Sequence, residues 1–197
     1  MKKSKVETAE TRKRIIEIAG QEFRRNGIHG TSVSEIMATA GLTHGGFYRH
    51  FDSKEQLIAE ACAESMDTLA DKVDAASEGG EKQVLKMLRE FLSLDFHDDH
   101  TDSCSFVTMG SELARADTEA RRAVTVGFRH WVDAIATLDG GSGNATARAE
   151  AMVKLSAMIG AATMARIVDD KKLSDQLLRE ARKRLADVPK RKNTAKI

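Results

Sequence analysis

Residues 43–50 read Thr-His-Gly-Gly-Phe-Tyr-Arg-His, and their spacing sorts hydrogen-bonding groups from aromatic ones. On a short helix that starts after Thr43, His44, Gly45, Tyr48 and Arg49 face outward while Phe47 and Phe51 are buried. Hydroxyl, imidazole, phenol and guanidinium groups on one such face suit hydrogen bonding to phosphates and base edges. Gly45 and Gly46 each cost roughly 1 kcal/mol of helix propensity relative to alanine. Without Cβ atoms the helix start can sit closer to a base or a sugar-phosphate. A second candidate is His97-Asp98-Asp99-His100, which can in principle ligate a metal and would make the chain an all-helical metal-dependent hydrolase. That chemistry needs further ligands, and the other histidines are His29, His44, His50 and His130, three near the Gly-Gly stretch and one alone on a later helix. There is no P-loop, no Ser/His/Asp set and no paired carboxylates, so no catalytic residues, metal site or cofactor are assigned.

The 43–50 stretch is preceded by a helix of its own. Val33, Ile36, Met37 and Ala40 mark one helical face after Thr31 and Ser32, either of which can cap it, and Gly41 ends it. A first helix is expected from about Ala9 to Arg25, with Ile15, Ile16, Ala19 and Phe23 on its inner face and Asn26-Gly27 as its stop. After Asp52, an S-x-x-Q box at Ser53 and Gln56 opens a long helix reaching about Ala76. Two short helices joined by a glycine turn form a helix-turn-helix, whose second helix lies in the major groove while the first crosses the phosphate backbone.

The run T-H-G-G-F-Y-R-H-F-D-S-K-E-Q-L, Thr43 to Leu57, resembles the signature of the tetracycline-repressor (TetR) family, and G-T-S-V-S-E-I-M-A-T-A-G-L before it fits the same family. The resemblance covers roughly Thr8 to Leu57. It implies that Tyr48, His50 and Lys54 contact phosphates and that Thr43, His44 and Gly45 meet the groove, with Thr31 and Ser32 also on the DNA-binding side. Many members carry a basic residue where this chain has His44, and the His-Gly-Gly variant resembles one subgroup. The implied fold is all-α: an N-terminal three-helix helix-turn-helix domain, residues 1–53, then a helical effector-binding and dimerisation domain, residues 54–187, and a basic tail, residues 188–197.

Composition agrees with a helical globular chain. Of 197 residues, 41% are apolar and 31% charged, and Pro189 is the one proline. No apolar run reaches membrane length and no signal peptide is apparent, so a cytoplasmic protein is expected, with Cys62 and Cys104 reduced. The net charge of +1 hides an uneven distribution: residues 1–25 carry eight Lys/Arg against four Asp/Glu, residues 61–120 five against fourteen, and residues 121–197 sixteen against eight. The basic N-terminal arm, with Arg12, Lys13 and Arg14, suits phosphate contact.

Beyond Gly80, helices are expected at about 82–94, 104–114, 118–138, 146–168 and 174–187. Met87, Phe91, Phe106, Met109, Phe128, Trp131 and Met158 offer a soft apolar lining for a ligand, with Glu112, Arg129 and His130 as polar partners. Cys104 joins them: D-S-C-S-F-V-T-M-G-S-E-L-A is similar to a segment of the TetR subgroup that includes the repressor of N-ethylmaleimide reductase, in which a cysteine at a helix start senses electrophiles. Ile159, Gly160 and Thr163, with Leu177 and Ala181 on the last helix, resemble the family's dimer interface, a four-helix bundle built from two helices of each subunit. The resemblance therefore implies a homodimeric repressor released from a palindromic operator by a small molecule or electrophile.

Overall fold

The computed structural model describes residues 5–93, 104–138 and 144–186. Among these residues every regular element is helical. Helix α1 spans Lys5–Asn26 and buries Ile15, Ala19 and Phe23 at spacings of four, a single stripe on one face. It begins four residues before the expected start. It ends at Gly27, whose φ of +80° is left-handed backbone and whose N–H donates to the Phe23 carbonyl at 2.9 Å.

Helix α2, Val33–Thr39, is short and depends on its caps. Ser32 Oγ accepts the Glu35 N–H at 3.2 Å, and Glu35 Oε2 accepts the Ser32 N–H at 2.7 Å, a complete capping box. The Ser32 amide holds the Glu35 carboxyl below the usual carboxylate range. At the other end Gly41, at φ +69°, allows its N–H to reach Ala38 O and the Leu42 N–H to reach Met37 O, the paired bonds of a Schellman turn. The second element of the helix-turn-helix, His44–Arg49, is a 3₁₀ helix rather than an α-helix, and the Thr43 hydroxyl makes no capping bond. Gly45 and Gly46 account for the tighter winding, since they weaken α-helix propensity at its start.

Helix α3, Lys54–Glu78, is 25 residues long, roughly 37 Å at 1.5 Å per residue. Ser53 Oγ accepts the Gln56 N–H at 3.1 Å, as the box requires, but Gln56 Oε1 accepts the N–H of Asp52 rather than Ser53. Then follow α4 (Glu81–Phe91), α5 (Ser105–Leu113), α6 (Thr118–Leu138), α7 (Ala145–Ile167) and α8 (Lys171–Leu185). Asp117, Asn144 and Asp170 cap α6, α7 and α8 through their carboxylate or amide oxygens. The Asp170 cap starts α8 three residues before the expected Ser174, inside the stretch read as a turn. Lys171 and Lys172 are exposed and give no apolar signal there.

Two apolar cores result. One gathers Phe23, Ile36, Phe47, Phe51 and Leu57 with Met109 and Leu113 of α5 and Ala120 and Val124 of α6. The other gathers Leu88, Phe91, Trp131, Ile135, Leu155, Met158 and Leu178. Leu69 packs against both. The first core runs straight through the boundary expected at Ser53/Lys54, so the helix-turn-helix head is wedged onto the body. Gly127 permits α3 and α6 to approach closely, because a Cβ there would overlap the Met66 side chain. The His97–Asp102 loop, the Gly140–Gly143 turn and the 188–197 tail lie outside the described residues.

Candidate nucleic-acid interface and effector cavity

The outer face of the head is held from beneath by aromatic packing. Phe47 and Phe51, 1% and 2% exposed, stack with centroids 5.4 Å apart. Each burial is worth roughly 1.5–3 kcal/mol. This fixes the rotation of the 3₁₀ helix, so Thr43, His44, Gly45, Tyr48 and Arg49 face solvent together. Tyr48 is 67% exposed and stands edge-on to Phe47 and to His44. A Cβ added to Gly45 would meet nothing within 4 Å, whereas one at Gly46 would touch Met37 Cε at 3.5 Å. Gly45 is thus open to an approaching molecule and Gly46 faces inward.

His44 is oriented across the turn by a partner missing from the sequence reading: Ser34 Oγ of α2 lies 3.0 Å from its Nδ1. Ser32 is exposed and uses its oxygen as an acceptor, leaving its hydroxyl proton available to a phosphate. Thr31 does not belong to this face. It is 1% exposed, and its hydroxyl faces the carbonyls of Gly27 at 2.8 Å and Glu22 at 3.3 Å, so it ties α1 to α2.

Three cations expected at phosphates are engaged inside the protein. Arg12 donates to Glu60 Oε1 at 2.6 Å and to the His50 carbonyl at 3.2 Å, with its guanidinium 4.7 Å from the Phe51 ring centre. Arg14 donates to the Ala40 carbonyl at 3.0 Å, closing the end of α2. Lys54 Nζ donates to the Ile28 carbonyl at 2.8 Å and is half-buried, leaving two of its protons for another acceptor. Lys13 pairs loosely with Glu17, one turn away. His50 is half-buried beside Phe51.

A cavity of about 520 Å³ lies where the head meets the body. Of the eleven residues expected to line a ligand site or serve it as polar partners, Met87, Phe91, Cys104 and Trp131 line the cavity. The other seven, Phe106, Met109, Glu112, Phe128, Arg129, His130 and Met158, do not. Met109 and Met158 are fully buried, and Phe106 packs edge-on to Phe128 at 5.7 Å. Glu112 reaches the head instead: its Oε2 accepts the Ile28 N–H at 3.1 Å and its Oε1 the His29 N–H at 2.9 Å. A Cβ on Gly27 would come within 2.9 Å of that carboxylate. His130 pairs with Asp74 at 2.8 Å, away from the cavity.

Sequence reasoning missed the cavity wall supplied by α1. Ile16, Glu17, Gly20, Gln21 and Arg24 line it, together with Ser65, Leu69 and Lys72 of α3. The 17, 20, 21, 24 spacing is a helical stripe and was available as a signal. Cys104 is half-buried, and burial pushes its thiol up to about 11 against the lowering by the backbone N–H groups of Phe106 and Val107. Burial thus works against the lowering that a helix start gives a thiol.

Along α7, Val153, Ala157, Gly160, Met164 and Ile167 form an exposed stripe at spacings of four and three, with Val153 70% and Ile167 67% exposed. Beside it, Ala157, Ala161, Leu173, Leu177 and Ala181 line a groove of about 440 Å³. Of the expected interface residues, Gly160 is exposed with open space above it. Thr163 and Leu177 are half-buried, and Ile159 and Ala181 lean onto the body's core. Leu178, one position from Leu177, is 1% exposed and packs in that core.

His97 and Asp98 lie outside the described residues. Among the described residues no three His, Cys, Asp or Glu side chains cluster as metal ligands, and no helix is long and apolar enough to cross a membrane.

Comparison with known proteins agrees with this architecture. The profile of bacterial regulatory proteins of the tetR family matches residues 15–61, the head and the start of α3. The profile of the LmrA/YxaF-like transcriptional regulator C-terminal domain matches residues 80–183. The regulator TtgR of Pseudomonas putida is 33% identical over 99 residues, 50% of this chain and 47% of that protein. AcrR of Shigella flexneri is 41% identical over 59 residues, 30% of this chain and 27% of that protein. The chain thus matches about half or less of the length of these curated relatives. The reduced form of NemR from Escherichia coli has the same fold, with a TM-score of 0.76 at 20% identity over 89% of this chain and 95% of that one. With one profile on the reading head and another over more than half of the chain, this protein belongs to the TetR family of bacterial transcriptional regulators.

Proposed function

We propose that the chain is a homodimeric, effector-responsive repressor that reads a palindromic operator through its head and is released by a small molecule in the junction cavity. The observation that carries this reading is the outward set Ser32, Thr43, His44, Gly45 and Tyr48, presented on a face fixed by two buried aromatics. Thr43, His44 and Gly45 supply the base-side contacts. Tyr48, Ser32, His50 and the two remaining protons of Lys54 serve phosphates, with Arg49 as an exposed cation beside them. The apolar stripe on α7 and the groove beside α8 take a second copy, which places two heads for half-sites about one helical turn, 34–36 Å, apart. Regulation rather than metal-dependent hydrolysis is the activity, and the cytoplasm its place.

Release follows from how the cavity is built. Its walls come from α1, α3, α4, the start of α5 and Trp131 of α6, so an occupant pushes on elements that also carry the head. Two connections lead outward. α3 runs from the cavity back to Lys54 beneath the head, and α5 runs from Cys104 to Glu112, which holds the α1–α2 turn by two backbone amides. An effector that fits one setting of these helices better than the other shifts the spacing of the heads.

Selection from a pool of randomised duplexes tests the reading. An enriched inverted repeat, bound with a steep salt dependence, is the expected result. Enrichment of no repeat, or binding indifferent to sequence, would sink it.

A further inference from the structure

We propose that the junction cavity takes a neutral, largely apolar ring compound bearing a hydrogen-bond-accepting oxygen, and that Trp131 Nε1–H is the donor which receives that oxygen. This rests on the cavity being the effector site and adds the class of molecule. Trp131 is 2% exposed, lines the cavity, and its Nε1–H has no acceptor among the described residues. An indole N–H usually finds a partner when buried, and leaving one without is unfavourable. Phe91 stands edge-on to the indole at 5.4 Å, and Met87 and Leu69 line the same cavity. Ser65 Oγ already accepts from Arg24 at 3.0 Å.

Charge selects among acceptors. Glu17, Glu64 and Glu90 line the cavity against Arg24 and Lys72, and Glu17 and Glu90 also face Lys13 and Lys86, so the lining offers no surplus of positive charge to an anionic ligand. A carbonyl or ether oxygen on a flat hydrocarbon frame satisfies the donor without bringing negative charge. The volume of about 520 Å³ accommodates a molecule of two or three fused rings.

Trp131 is the one tryptophan in the chain, so a ¹⁵N-labelled sample gives a single indole resonance that reports directly on this atom. The full chain is titrated with 9-fluorenone and with fluorene, which share a ring frame and differ in the carbonyl. Fluorenone is expected to bind at least about tenfold tighter, equivalent to about 1.4 kcal/mol, and to move the indole proton downfield. In Trp131→Phe, with helix content checked by circular dichroism, calorimetry should show the two affinities converging to within about twofold. Equal binding of both compounds to the wild type, no binding of either, or a preference that survives in Trp131→Phe overturns the proposal. The wild-type indole shift decides the matter even if the variant folds poorly. Operator affinity measured alongside separates the two ideas. Fluorenone preference without operator release upholds the donor role and removes the switching role; equal binding with release does the reverse.

Discussion

Replacing Glu112 with alanine removes the acceptors of the Ile28 and His29 amides together. Stranding a partly buried amide costs about 1–3 kcal/mol. A loss near 2 kcal/mol should lower Tm by about 4–8 °C in a chain of this size. Glu112→Gln, which keeps one carbonyl oxygen, should lose about half as much; equal losses in the two variants would show that the amides do not depend on the carboxylate. In the sequence Glu112 reads as a polar partner for a ligand, beside Arg129 and His130. Its real partners lie more than 80 residues away in the chain, a distance no spacing rule spans. The same limit applies to the thiol of Cys104. A helix start lowers a thiol pKa, but the opposing effect of burial cannot be seen before the fold is known. With Cys62 and Cys104 both pushed up to about 11 by burial, iodoacetamide at pH 7.5 should label native protein slowly and unfolded protein quickly. Burial favours the neutral thiols, so their contribution to stability is intact below about pH 9 and is lost as pH rises through about 11. Rapid native labelling at pH 7.5 would contradict this burial.

Among the elements, the helix-turn-helix was legible because its signals are local. The capping pair Thr31-Ser32, of which Ser32 is the cap, Gly41, and the Phe47/Phe51 pair each act within a few residues. What the sequence could not supply was the direction of the long cations. Arg12 and Arg14 look like a phosphate-binding arm, yet they reach back to Glu60 and to Ala40. Basic residues near a DNA-binding head can equally brace it. The 3₁₀ winding of the second element places the hydrogen-bonded His44 at its start and Tyr48 one turn later. His44→Ala should therefore change which base is preferred near the half-site centre while leaving the salt slope alone. Tyr48→Phe should weaken all operators alike. Exchange of these two phenotypes would reverse the assignment.

For the whole molecule, the stripe of Val153, Met164 and Ile167 makes its own demand, since large apolar side chains aligned on one exposed face mark an interaction surface. Ile167→Glu should yield a folded monomer by sedimentation, with operator affinity falling at least about a hundredfold as the second half-site is lost. A dimer of unchanged affinity would move the interface elsewhere. The sequence showed the small residue at Gly160 but not its larger neighbours, because Val153, Met164 and Ile167 fit an ordinary buried stripe equally well; only the core taken up by Leu155, Met158 and Ala162 leaves them outside. The wall that α1 lends to the cavity sets a final condition. Ile16, Gln21 and Arg24 belong both to that wall and to the helix bracing the head, so under the proposed function the two sites share a body and their free energies are linked in both directions. An effector that weakens operator binding tenfold must itself be held tenfold more weakly by operator-bound protein. Each added operator copy thus draws protein into the form with lower effector affinity, so the dose needed for release rises with the number of operators the cell carries.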